Sequence, residues 1–214
     1  MMKLSAFLSF LFFLLLSAFA TTISAEAVVD SDGHILRNGG KYYLSPATPI
    51  GGGGIIASAI RHGDSNFCSL AVVSALFTNG WAVTISTYLK VTFIKTTYPV
   101  NLAFAYLVPN VCTDSPNWVV VNSLPLGQPV MLGGAQEFSA ASVPGQFYIK
   151  TYDSEKHYYK IVFCEQGKDH CGDIGVKVDS AERRRLVVTD DKNPLVFKFD
   201  KVNESSNSDL SMVV

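Results

Sequence analysis

Along most of the chain, apolar residues recur in short runs and not at helical spacing. The runs are rich in Val, Ile, Phe and Tyr and are cut by Gly, Pro, Asn and Asp, which is the pattern of short strands and turns. The pattern predicts strands at Lys41–Leu44, Ile55–Ile60, Leu70–Leu76, Trp81–Ser86, Lys90–Ile94 and Val100–Leu107. It predicts further strands at Trp118–Asn122, Pro129–Leu132, Gln146–Tyr152, Tyr158–Cys164, Gly175–Asp179, Arg185–Thr189 and Leu195–Val202. Two of these alternate cleanly. Tyr159, Ile161 and Phe163 face one side with Lys160 on the other, and Leu195, Phe197 and Phe199 alternate with Lys198 and Asp200. About a dozen short strands in one domain imply an all-β barrel or sandwich.

A faint repeat adds to this. Gly40-Lys41-Tyr42-Tyr43-Leu44 resembles Gly145-Gln146-Phe147-Tyr148-Ile149, and Lys90-Val91-Thr92-Phe93-Ile94 lies midway between them. Three units of roughly fifty residues, each too small to bury its own core, suit a threefold β architecture.

The N-terminus departs from the strand pattern. A basic start at Lys3 precedes the apolar run Leu4–Leu16 and the small residues Ser17, Ala18 and Ala20, in the order of a secretory signal peptide. Cleavage is expected between residues 20 and 27, with Ala25 to Ala27 favoured because strand-like sequence begins at Val28. Residues 28–202 then form one domain, and 203–214 a flexible tail ending in the apolar Leu210-Ser211-Met212-Val213-Val214. The expected location is extracellular, or vacuolar through the same pathway, with no membrane association once the signal is removed.

Charge excludes some partners. The formal net charge is −1, and removing residues 1–27 leaves it there, because Lys3 and Glu26 go together. Such a chain has no electrostatic footprint for nucleic acid or anionic lipid. The dense basic run Arg183-Arg184-Arg185 lies between Glu182 and Asp190-Asp191 and reads as a solvated strand end.

Four cysteines, Cys68, Cys112, Cys164 and Cys171, in an exported chain imply two disulfides, for which three pairings exist. No pair has the Cys-x-x-Cys spacing of a zinc or redox site. Enzyme signatures are missing as well. There is no Gly-x-Ser-x-Gly elbow and no His-Glu-x-x-His, and His34, His62, His157 and His170 are scattered as surface residues would be. Gly51-Gly52-Gly53-Gly54 has no following Lys-Ser/Thr and reads as a flexible loop. No metal and no cofactor is expected. Asn203-Glu204-Ser205 is a glycosylation acceptor pattern.

Several motifs together resemble the soybean-type Kunitz protease inhibitor family. They are Val29-Asp30-Ser31-Asp32-Gly33 with Leu36-Arg37-Asn38-Gly39-Gly40-Lys41-Tyr42-Tyr43, Tyr159-Lys160-Ile161-Val162-Phe163-Cys164, Cys171-Gly172-Asp173-Ile174-Gly175 and Arg184-Arg185-Leu186-Val187-Val188. Pro194-Leu195-Val196 and Phe199 complete the resemblance, which runs from about Val28 to Val202. It implies a β-trefoil, a six-stranded barrel capped by three hairpins, with pairing Cys68–Cys112 and Cys164–Cys171.

The resemblance also implies a function: blocking a serine endopeptidase with an exposed loop that mimics a substrate. The reactive bond maps onto Lys90–Val91, flanked by Thr87, Tyr88, Leu89 and Thr92, and Asn38 maps onto an asparagine that props the loop. A lysine there suits a trypsin-like pocket with a carboxylate at its base. Tyr88 stands where the family often has a proline. A register slipped by one would make Leu89 the anchor and favour a chymotrypsin-like target. The protein is expected to be a monomer, and the alternative reading is a non-inhibitory trefoil that binds carbohydrate or serves as storage, or an inhibitor of another protease class.

Overall fold

The computed structural model describes residues 25–47, 53–61, 68–107, 111–123, 126–190 and 193–202, the side chain of Arg61 excepted. The hydrophobic signal core, His62, Gly51, Gly52, Asn203 and the C-terminal tail lie outside them. Twelve strands follow one another in the described residues: β1 Gly40–Pro46, β2 Ile55–Arg61, β3 Cys68–Ser74, β4 Val83–Ser86, β5 Pro99–Phe104 and β6 Trp118–Val120. The rest are β7 Gln128–Leu132, β8 Gly145–Asp153, β9 Tyr158–Glu165, β10 Gly172–Val178, β11 Arg184–Thr189 and β12 Val196–Lys201.

Six of them close a barrel. β12 pairs with β1, β1 with β4, β4 with β5, β5 with β8, β8 with β9, and β9 returns to β12, all antiparallel. The other six form the hairpins β2–β3, β6–β7 and β10–β11, whose second strands meet one another pairwise as a cap. This is a β-trefoil. Its three units start at β1, β5 and β9, 59 residues apart each time. The faint repeat in the sequence therefore paired the wrong elements: Gly40 opens the first strand of unit one, whereas Gly145 opens the last strand of unit two.

Alternation fills the barrel. Tyr42, Leu44, Val83, Ile85, Leu102, Ile149, Ile161, Phe197 and Phe199 are almost wholly buried in one cluster. Burying each such side chain contributes roughly 1.5–3 kcal/mol. Phe199 sits at the centre of the aromatic contacts, with ring centroids 6.1 Å from Tyr42, 5.5 Å from Tyr159 and 5.2 Å from Phe197. A smaller cluster of Ala71, Val73, Val121 and Met131 fills the cap. Disulfides join Cys68 to Cys112 and Cys164 to Cys171. By loop entropy they add about 4 and about 2.5 kcal/mol.

Three local expectations need correction. Lys90–Ile94 is not a strand but a loop: it joins no named strand among the described residues and meets the segment before β1 through the isolated bridge Arg37–Phe93 and single backbone bonds to Val28, Leu36 and Asn38. Its β-branched and aromatic residues satisfy strand propensity, yet only Ile94 is buried. The run Arg183-Arg184-Arg185 is not a solvated end either. Arg185 is 5% exposed inside the cap, 3.6 Å from Asp179, and donates from Nη2 to the Met131 sulfur at 3.0 Å. Arg183 donates from Nε to Asp179 at 2.8 Å. Burial alone would raise the Asp179 pKa, but hydrogen bonds from Arg183 and the Ala181 N–H hold it below the usual carboxylate value. Burial pushes the Arg185 pKa down, and Asp179 partly offsets this. Finally, the described half of the glycine run, Gly53 and Gly54, is buried and tightly packed: a Cβ on Gly53 would overlap the Ala75 carbonyl, and one on Gly54 would overlap Asn79 and Gly80.

Candidate functional site

The connection from β4 to β5, residues 87–98, carries the predicted site. Its two ends are pinned by burial. Thr87 is 8% exposed, Ile94 fully buried and Thr96 9% exposed. Between them Tyr88, Lys90, Thr92 and Phe93 are exposed, and Leu89 and Val91 are half-buried.

The loop rests on the segment that precedes β1. Ile94 N–H donates to the Leu36 carbonyl (2.9 Å), Leu36 N–H to Val28 (2.8 Å), and Val28 N–H to Ile94 (3.1 Å). Leu36 and Val28 are fully buried, so apolar anchoring fixes this clamp. Asn38 then stands directly behind the loop. Its Nδ2 donates to the carbonyls of Thr87 (3.3 Å), Leu89 (3.4 Å) and Val91 (3.0 Å). Its Oδ1 accepts from the Thr87 N–H (2.9 Å), and its backbone N–H donates to the Thr92 carbonyl (2.9 Å). Thr87 Oγ1 accepts from the Leu89 N–H at 3.4 Å, and Val91 N–H donates to the Leu89 carbonyl at 2.8 Å.

These bonds set which side chains face out. The carbonyls of residues 87, 89 and 91 turn toward Asn38, and Tyr88 and Lys90 between them are exposed. The result is a convex loop with a pre-ordered backbone and an unburied lysine at its crest. Such a loop loses little conformational entropy when it enters a partner's cleft.

Sequence reasoning did not find the hydroxyls that hold the segment carrying Asn38. Tyr42 Oη accepts the Arg37 N–H at 2.9 Å, and Tyr159 Oη accepts the Val29 N–H at 3.0 Å. Burial pushes both tyrosine pKa values up, with those backbone hydrogen bonds pulling the other way. Both tyrosines read as strand-core residues in the sequence, and their hydroxyl partners lie on a segment with no strand period. The four cysteines are not part of the site surface, but the Cys68–Cys112 bridge encloses the whole loop in its 44-residue span. Asn203, the possible glycosylation site, lies outside the described residues.

No helix among the described residues is long and apolar enough to cross a membrane. Residues 28–201 match the legume Kunitz family, described as trypsin and protease inhibitor. The chain is 33% identical to trypsin inhibitor A of Glycine max, over 96% of this chain and 94% of that protein. Among solved structures, it is similar to trypsin inhibitor 1 from Senna obtusifolia, with 47% identity, TM-score 0.73 and coverage of 85% of this chain and all of that one. It is also similar to soybean trypsin inhibitor in complex with porcine pancreatic trypsin, with 33% identity, TM-score 0.70 and coverage of 83% and 100%.

Proposed function

The chain belongs to the legume Kunitz family of trypsin and protease inhibitors, and from that premise we propose that it blocks a trypsin-like serine endopeptidase with Lys90–Val91 as the reactive bond. The observation that carries this reading is the Asn38 side chain, whose bonds to Thr87, Leu89 and Val91 brace the loop under the exposed Lys90. The Lys90 ammonium enters the protease's specificity pocket and meets the carboxylate at its base, while the braced backbone lies along the catalytic groove. If the bond is cut, Asn38 and the Ile94–Leu36 clamp hold both new ends in place, so the cut ends re-join faster than they separate. Leu89 is a poorer anchor. Its side chain is half-buried and its carbonyl is bonded to both Asn38 and Val91.

The same reading includes secretion or vacuolar storage after removal of the N-terminal signal, action as a monomer, and no cofactor. Glu26 and Ala27 are tied to the body: Thr96 N–H donates to the Glu26 carbonyl (2.9 Å), Thr151 Oγ1 bonds the Glu26 carboxylate (2.8 Å), and Ala27 bridges Lys95. These contacts favour a mature N-terminus at or before Glu26.

Titration of trypsin and chymotrypsin with the disulfide-intact protein tests the function. Stoichiometric inhibition of trypsin alone is expected. A preference for chymotrypsin would move the anchor to Leu89, and inhibition of neither would overturn the reading.

A further inference from the structure

The cap lies at the other end of the barrel from the reactive loop, because β4 leaves the cap and β5 returns to it. A cavity of about 540 Å³ opens there, lined from the β2–β3, β6–β7 and β10–β11 hairpins and from the connection that follows β7. Its walls are apolar, formed by Ile60, Val121, Leu126, Met131 and Phe138. Its charges do not balance. Among the described lining residues, Lys177, Arg183 and Arg185 stand against one carboxylate, Asp179, in a chain whose net charge is −1.

Strand register creates the excess. Lys177 and Arg185 are direct partners across β10 and β11, so both side chains lie on one face of the hairpin. Like charges placed opposite each other destabilise a strand pair. Asp179 relieves this only in part. It accepts from the Arg183 Nε at 2.8 Å but lies 3.6 Å from the Arg185 Nη1, beyond the length of a charge-assisted hydrogen bond. Arg185 is 5% exposed. Its Nη2 donates to the Met131 sulfur, a weak acceptor, and its Nε has no partner among the described residues. A buried guanidinium served this poorly costs free energy until a stronger acceptor arrives.

These features select a class of ligand. A neutral apolar ligand would cover the Arg185 Nε–H and leave it unpaired. A small inorganic anion would leave the apolar walls wet. A carboxylate accepts N–H bonds from a guanidinium side by side, and an apolar body behind it covers the walls. The volume lies in the range of small-ligand sites. We infer that this cavity binds a small monocarboxylate with an apolar body, its carboxylate held by Arg185 and Lys177 and its body packed on Val121, Leu126 and Phe138. The site is separate from Lys90–Val91 and does not depend on the inhibitory reading.

Calorimetric titration of the disulfide-intact protein with octanoate and with 3-phenylpropionate, each beside its neutral amide, tests it. Saturable binding of at least one acid is expected, about tenfold or more tighter than that of its amide. Binding of octanoate alone would assign the site to aliphatic acids, and binding of 3-phenylpropionate alone to aromatic ones. Arg185→Leu should weaken binding by about tenfold or more. Because that variant may fold poorly, Lys177→Glu provides a second reading at an exposed position. It places a carboxylate opposite Arg185, so it should raise the melting temperature and also weaken binding of the acid by about tenfold or more. No saturable binding of either acid at millimolar concentration would overturn the inference. So would equal binding of acid and amide, or binding of the acid that Lys177→Glu leaves unchanged.

Discussion

Two connections occupy equivalent places in the trefoil and are built in opposite ways. Each leads from the fourth strand of one unit into the first strand of the next. The β8–β9 turn has four residues, 154–157, and is closed from within. Asp153 Oδ1 accepts the N–H groups of Glu155 (3.1 Å) and Lys156 (3.2 Å), Lys156 pairs with Asp153 at 3.4 Å, and His157 adopts a positive φ of 53°. The β4–β5 connection has twelve residues, 87–98, and is held from a distance, by Asn38 and by the Val28–Leu36 clamp. Local closure makes a turn that nothing needs to approach. Remote bracing keeps a long loop both ordered and exposed, and that is the combination an inhibitor requires. Long connections are also where function concentrates when a rigid scaffold positions them.

The largest effect expected is at the crest of the long loop. Lys90→Ala should raise the inhibition constant for trypsin about a thousandfold, near 4 kcal/mol, with an unchanged melting temperature. Titration kinetics and a thermal melt check both parts. An unchanged constant would mean that the long connection is no more functional than the short one.

A stability loss placed elsewhere provides the control. Asp179→Ala leaves the Arg185 guanidinium buried in the cap without its carboxylate and should cost about 3 kcal/mol in a denaturant titration, with inhibition of trypsin unaltered. The same pair gives a pH signature. The Asp179 pKa is depressed in the folded protein, so its contribution is fully present above the unfolded value near 3.9 and is lost as pH falls through the lower folded value. The melting-temperature gap between the parent and Asp179→Asn should therefore be constant near neutrality and shrink below about pH 4.

Removing the brace sharpens the contrast. Asn38→Ala deletes the side-chain bonds to Thr87, Leu89 and Val91 and should weaken inhibition by about ten- to a hundredfold, about 1.5–3 kcal/mol. Inhibition should also become temporary as the cut loop separates. Asn38→Asp keeps the acceptor for the Thr87 N–H but sets a carboxylate oxygen against the carbonyls of Thr87, Leu89 and Val91, so it should weaken inhibition at least as much as Asn38→Ala. In the short turn, Lys156→Ala should change stability by less than about 0.5 kcal/mol and leave inhibition untouched, because its ion pair is exposed.

The fold was largely legible from alternation. Tyr159, Ile161 and Phe163 and the Leu195–Phe199 run landed in the barrel interior as their period demanded. The exceptions share one cause, which is that local pattern does not encode what lies across the chain. Lys90–Ile94 has strand composition, but its backbone partners are the Asn38 side chain and single bridges, so no ladder forms. Arg185 looked solvated beside its charged neighbours, until Asp179 and the cap closed over it. The threefold repeat was misread because Gly40 and Gly145 both open strands lined by aromatic residues, and register within the unit is invisible in composition. At the candidate site, Asn38 and Lys90 were singled out only through family resemblance, since from spacing alone an Asn-Gly-Gly reads as a plain turn. Tyr42 and Tyr159 escaped because a core tyrosine shows nothing of where its hydroxyl points.

The most direct measurement of the central claim is to incubate the inhibitor with a catalytic amount of trypsin at mildly acidic pH and sequence the product. A single cut at Lys90–Val91 is expected, giving a new N-terminus at Val91. The two pieces should remain joined by Cys68–Cys112, the intact mass should rise by one water, and the cut form should still inhibit. Inhibition accompanied by a cut at another bond, or by a cut form that no longer inhibits, would contradict the account.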